Sequence, residues 1–214
     1  FIILFNSFKG KLYISDAPFK LPTAETFSGL QNYIDGLSKT GFLSAFGWSI
    51  FITFFSTIVI VLFTAMTGWY ITRSKTKVST SLYFIFVFSM IVPFQMVMFT
   101  MSKVANMLNL DNPVGLIVLY LGFGAGLSIF MFSGFVKSIP IDIEEAALID
   151  GCNPIKTFFL IVLPLLKPIC ITVAILNVMW IWNDYLLPSL VLKSDYKTIP
   201  MAVQYLRGGY GAID

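Results

Sequence analysis

The chain has 214 residues, of which 57% are hydrophobic and 12% charged, with a net charge of +3 and no histidine. Soluble domains carry about a quarter charged residues, so half that share, with a mean hydropathy of +0.84, points to a polytopic membrane protein. The charge excess is too small for a nucleic-acid binder. The missing histidine removes the commonest general base and metal ligand. Cys152 and Cys170 lack the spacing of a redox or zinc pair, and neither a phosphate-binding GxxxxGK[ST] loop nor a GxSxG elbow is present. The chain reads as non-catalytic, with no catalytic residue, no metal site and no cofactor of its own.

Residues 1–7 open in mid-apolar text and read as the outer end of a partial first span. Residues 8–41 form a polar connector holding Pro18, Pro22, Gly29, Gly36 and Gly41, placed outside the membrane. Uncharged runs at 42–72, 78–102 and 112–136 each exceed the roughly 20 residues that cross a hydrocarbon core of about 30 Å. They predict spans at about 42–72, 79–102 and 114–136, and a further span is expected at about 165–192. The linker RSKTK carries Arg73, Lys75 and Lys77 without an acid, which puts it in the cytoplasm by the positive-inside rule. Four lysines in the connector (Lys9, Lys11, Lys20 and Lys39) count the other way. The orientation therefore rests on the compact linker beside two spans. Residues 138–164 then form a cytoplasmic loop and 193–214 an external tail. Trp48, Trp69, Tyr70, Tyr83, Trp180, Trp182 and Tyr185 lie mostly near span ends and read as an interfacial belt.

The cytoplasmic stretch IPIDIEEAALIDGCNPIKTFFLIVLPLLKP, residues 139–168, is acidic and alanine-rich. Pro140 suits a helix start, and Asp142, Glu144 and Glu145 favour the positive end of the helix dipole. Gly151 can end the helix in the left-handed conformation, and Pro154 can open the next. By three-and-four spacing Ile143, Ala146, Ala147 and Asp150 share roughly one face. Two readings compete for this helix. Anionic headgroups would repel an interfacial helix with four acids, whereas small side chains flanked by acids suit a protein socket with basic rims.

EAALIDGCNPIKTFFLIVLP, residues 145–164, resembles the EAA loop of ABC importer permeases. That pattern is Glu-Ala-Ala, three residues, Gly, nine residues, Ile-x-Leu-Pro, and Glu145, Ala146, Ala147, Gly151, Ile161, Leu163 and Pro164 meet it. The flanking GFVKSIPIDIEEAALIDG, with WNDYLLP, NYIDGL and IVPFQMV elsewhere, is similar to the carbohydrate-uptake, maltose-type (MalG-like) group, so the likeness runs along nearly the whole chain. The resemblance implies an all-α type I permease fold, truncated relative to the usual six spans, in a bacterial cytoplasmic (inner) membrane. It implies that Glu144, Glu145, Ala146, Ala147, Asp150, Gly151, Leu163 and Pro164 couple the chain to an ATPase. Glu145 would pair with a basic residue there, and Gly151 would form the turn. It further implies a second homologous permease, an ATPase dimer binding ATP and Mg, and an extracellular or periplasmic solute-binding protein that delivers a sugar.

Polar groups inside spans are costly and often functional. Gln95, Asn177, Asn183 and Asp184 are therefore candidates for a translocation path, the alternative for Asn177 being an interhelical hydrogen bond. Gly122 and Gly126, four apart, are expected to serve close helix packing. The same machinery could carry another solute, such as a glycerol phosphate or a polyamine. An ion-driven carrier would need intramembrane carboxylates, which the spans at 42–136 lack.

Overall fold

A computed structural model describes residues 1–206. Its centre is a pair of long helices, Phe42–Ser74 and Pro113–Val136, and their limits follow from local chemistry. Three short helices come first: α1 (Ile2–Asn6), α2 (Lys11–Asp16) and α3 (Gln31–Thr40). Gly41 at φ +60° ends α3 and starts α4 (Phe42–Ser74), which runs uninterrupted for 33 residues until Lys75 turns left-handed at φ 42°. At 1.5 Å per residue that is about 50 Å, more than a bilayer core requires. After α5 (Lys77–Ser89) and α6 (Phe94–Met107), α7 (Pro113–Val136) begins where Pro113 takes the first position and the Asn112 side chain accepts the Gly115 amide at 3.0 Å.

The residues before α4 are more than a linker. Lys9 is 1% exposed, donates from Nζ to the Ala17 carbonyl at 2.9 Å, and lies 5.3 Å from the centre of the Phe5 ring. Asn32 donates to the carbonyls of Ser7 and Lys9, both at 2.8 Å. The expected external connector is thus a small folded cap that tucks one of its lysines inside.

Close packing of α4 on α7 depends on small residues, as helix association in lipid requires. A Cβ on Gly68 would lie 2.8 Å from the Phe132 Cβ. One on Gly124 would meet Asn177 Oδ1 and Ile60 Cδ1, both at 2.9 Å. One on Gly126 would meet Ser89 Oγ at 2.7 Å and the Phe86 carbonyl at 2.8 Å. The expected pair, Gly122 with Gly126, is therefore half right: Gly122 has nothing within 4 Å, and Gly124 takes its place. Successive turns put positions 122 and 126 on one face, but α7 is contacted from opposite sides. Gly124 faces α4 and α11 (Lys167–Asn183), whereas Gly126 receives the end of α5.

Two expected spans are bent. The span at 79–102 is α5 and α6, joined at 106° through Met90–Pro93, where Pro93 is extended (φ −63°, ψ 135°) and caps α6. Proline has no amide hydrogen to continue the ladder. The span at 165–192 begins within the segment Pro154–Leu165, which meets α11 at 78°. It ends at Asn183, where Asp184 leaves helical geometry (ψ 121°) before the short α12 (Leu186–Val191), which precedes α13 (Ile199–Leu206). Among the described residues two helices are long and apolar enough to cross a membrane, or four spans if each bent pair counts as one. Of the predicted tail at 193–214, residues 207–214 lie outside the described set.

Gly68→Leu is expected to lower the thermal unfolding midpoint in detergent by the equivalent of about 1–3 kcal/mol through overpacking. Gly122→Ala should leave that midpoint unchanged or raise it slightly, because alanine suits a helix interior better than glycine.

Candidate functional site: the α8 junction and the far end of the bundle

The acidic stretch folds as its punctuation dictates. Pro140 (φ −58°, ψ 133°) precedes α8 (Ile141–Ile149), with Asp142 and Glu144 in the first turn. Gly151, at φ +83°, closes the helix: its amide reaches the Leu148 carbonyl at 3.1 Å, and the Cys152 amide reaches that of Ala147 at 3.0 Å. This pair of bonds is the Schellman arrangement. The Asn153 side chain then accepts the Lys156 amide at 2.8 Å and starts α9 (Pro154–Thr157). A π-helical turn follows at Phe158–Val162, then α10 (Leu163–Leu165), with the bend before α11.

Glu144 decides how α8 sits. It is 6% exposed, and three side-chain donor groups of α4 converge on its carboxylate. Arg73 donates from Nε at 3.0 Å and Nη2 at 2.8 Å to Oε1, and the Trp69 indole donates to Oε2 at 2.9 Å. Arg73 Nη2 also donates to the Ile139 carbonyl at 2.9 Å, tying down the residue that leads into α8. The Trp69 ring meanwhile lies 5.6 Å from that of Phe158 in the π-helical turn. Three segments thus meet at one end of α4. Charge-assisted bonds of this kind are the strong ones, and removing one partner would strand a buried charge at about 3–5 kcal/mol.

With Glu144 inward, the remaining positions follow. Ala147, one turn later, is also buried, while Glu145, Ala146, Leu148, Ile149 and Asp150 are exposed, Ile149 at 87%. The expected shared face of Ile143, Ala146, Ala147 and Asp150 is therefore divided. Ala147 and Glu144 face the chain's own core, and the others face outward. Spacing on α8 cannot tell which of two adjacent glutamates points in; a partner 71 residues earlier does. Gly151 and Pro164 are exposed and Leu163 is half-buried.

The four path candidates do not form one cluster: among the described residues no hydrogen bond joins any two of them. Gln95 is exposed in the first turn of α6. Asn177 is buried on α11, donating to its own helix at the Val173 carbonyl (2.8 Å) and weakly to Ser128 Oγ of α7 (3.4 Å), so it acts as an interhelical contact. Asn183 is exposed and donates back to the Met179 carbonyl at 2.7 Å. Asp184 accepts from the hydroxyl of Tyr120, a fully buried α7 residue, at 3.0 Å, and its other oxygen accepts the Leu186 and Leu187 amides at 3.0 and 3.4 Å. It therefore caps α12 and ties it to α7. Nearby, Lys193 pairs with Asp111 at 3.0 Å and Ser102 donates to the Leu190 carbonyl at 2.7 Å. Arg73, Trp69 and Tyr120 escaped the sequence reading of the site. In the sequence Arg73 reads only as a topology charge and Trp69 only as an interfacial aromatic, and Tyr120 carries no local signal.

Residues 60–208 match the family described as the binding-protein-dependent transport system inner membrane component. The chain belongs to that family. It is 41% identical over 211 residues to the probable starch degradation products transport system permease protein AmyC of Thermoanaerobacterium thermosulfurigenes, covering 98% of this chain and 76% of the relative. It is 34% identical over 214 residues to the multiple sugar-binding transport system permease protein MsmG of Streptococcus mutans, with the same coverage. The crystal structure of a bacterial ABC transporter involved in the import of the acidic polysaccharide alginate shares the fold at a TM-score of 0.75. That match has 21% identity and covers 99% of this chain and 74% of the other. The protein is accordingly a multi-pass inner-membrane permease subunit of a transport system that works with a binding protein.

In this permease Tyr120→Phe is expected to cost about 1 kcal/mol. Asp184→Ala should cost more, because it also uncaps α12. Thermal unfolding in detergent, with hydrogen exchange across residues 186–191, checks both; unchanged exchange in Asp184→Ala would contradict the assigned cap.

Proposed function

We propose that this permease is one transmembrane half of an ATP-driven importer for a mono- or oligosaccharide. The observation that carries the sugar assignment is 41% identity along 98% of the chain to a relative named for starch degradation products. The chain itself performs no catalysis. ATP and Mg bind to a separate ATPase dimer, a second homologous permease completes the pathway, and an external binding protein delivers the solute.

In this reading α8 is the coupling helix and lies on the cytoplasmic side. Its outward residues support docking: Glu145 offers a carboxylate to a basic rim, Ala146 admits a close backbone approach, and Leu148 and Ile149 supply apolar contact. Leu163 and Pro164 lie further along, where the loop returns to the membrane before the bend into α11. Closure of the ATPase dimer moves α8, and the two permeases rock between inward-open and outward-open states.

Two measurements test this. Proteoliposomes holding the whole complex are expected to take up labelled maltodextrin with ATP inside and binding protein outside; uptake of glycerol phosphate or a polyamine instead would overturn the sugar assignment. Glu145→Lys and Gly151→Pro are expected to abolish co-purification of the ATPase or sugar-stimulated ATP hydrolysis while the spans stay inserted. Proline, locked near φ −65°, cannot adopt the +83° of residue 151. Normal stimulated hydrolysis in both variants would count against docking through α8.

A further inference from the structure

The docking reading gives no role to Glu144, because its side chain is turned away from any partner. We infer that Glu144, Arg73 and Trp69 form a rigid joint that transmits displacement of α8 to the membrane helices, a positioning role distinct from docking. The inference rests on the importer reading for what displaces α8, and on this chain's geometry for where the displacement goes.

A nine-residue helix held only by apolar contact could slide or roll on its support, since such contacts lack direction. Here the carboxylate is gripped from both sides. Arg73 holds one oxygen through two nitrogens, and the Trp69 indole holds the other. Rotating α8 about its axis, or sliding it by part of a turn, breaks these bonds and strands a buried charge. A push on the exposed face must therefore move α8 and the end of α4 together. Arg73 also grips the Ile139 carbonyl, so the entry to α8 cannot hinge freely. Trp69 extends the joint to a second helix through the Phe158 ring, in the π-helical turn just before the bend into α11. A single push thus reaches α4 through hydrogen bonds and the π-helical turn ahead of α11 through ring packing. Beyond the joint, α4 packs on α7 through Gly68, one residue before Trp69.

The joint makes different demands on its members. Glu144→Gln keeps the shape and loses the charge. Trp69→Phe keeps the ring on Phe158 and loses only the indole donor. Arg73→Lys keeps the charge and loses the two-nitrogen fork, so it should restore part of the function that Arg73→Ala removes.

The test uses the whole complex in proteoliposomes and reads solute molecules imported per ATP hydrolysed, alongside retention of the ATPase during purification. Glu144→Gln and Trp69→Phe are expected to keep the ATPase in the complex and to lower the transport-to-hydrolysis ratio about tenfold, the size of a typical coupling between sites. A wild-type ratio in both variants would overturn the joint. Loss of the ATPase from the complex would also overturn it, since Glu144 would then serve docking or folding. Hydrogen exchange on the purified complex separates this inference from the importer reading. Exchange of the α8 amides should speed up in Glu144→Gln while α7 amides stay unchanged. If wild-type vesicles import nothing but that local loosening is seen, the importer reading fails and the mechanical anchor stands. If α8 exchange is unchanged, the anchor fails whatever the vesicles do.

Discussion

A carboxylate taken out of water loses several kcal/mol of solvation, and it stays ionised only where donors replace the lost water. Glu144 is such a group, and the position of α8 is what satisfies it. Arg73 and Trp69 stand one turn apart on α4, so their donors converge on one point, and the chain must return there after crossing to α7 and back. Once Glu144 is seated, α8 has no rotational freedom left. Ala147 follows it inward, Glu145 and Ala146 face out, and Gly151 redirects the chain into α9. The outward surface of α8 is thus a consequence of an inward ion pair.

The rest of the bundle keeps that geometry stiff. Small residues let α4 and α7 approach until a side-chain carbon at position 68 would crowd Phe132, and such proximity leaves little room for independent movement. Asn177, Tyr120 and Asp184 contribute polar contacts between elements that apolar packing alone would not orient. The two sharp bends, at Met90–Pro93 and before α11, lie at the flanks of this central pair. Family membership makes this close-packed pair part of the inner membrane component of a transport system.

Much was legible in the sequence because it depends on local chemistry or on long averages. Charge-free runs of sufficient length announce membrane helices whatever their partners. Proline at 140 and 154, asparagine at 153 and glycine at 151 mark a helix, a turn and a helix, since these residues act through their own backbone. The Glu-Ala-Ala pattern pointed to the family that residues 60–208 then matched. What could not be read depends on pairs far apart in the chain. Two adjacent glutamates are equivalent until Arg73 selects one. Gly122 and Gly124 are equivalent until Ile60 and Asn177 approach one of them. Asn183 and Asp184 looked alike at a helix end, yet only Asp184 finds Tyr120.

Sequence alone determined that the chain is a helical membrane permease, where its long charge-free runs lie and where its exposed loop turns, because hydropathy and backbone preference need no distant partner. Tertiary structure alone decided which faces the helices turn inward, where two spans bend, and which acid anchors the loop while its neighbour faces out. Those choices are made by desolvation and by steric contact between segments dozens of residues apart, and neither force is written in any single stretch of sequence.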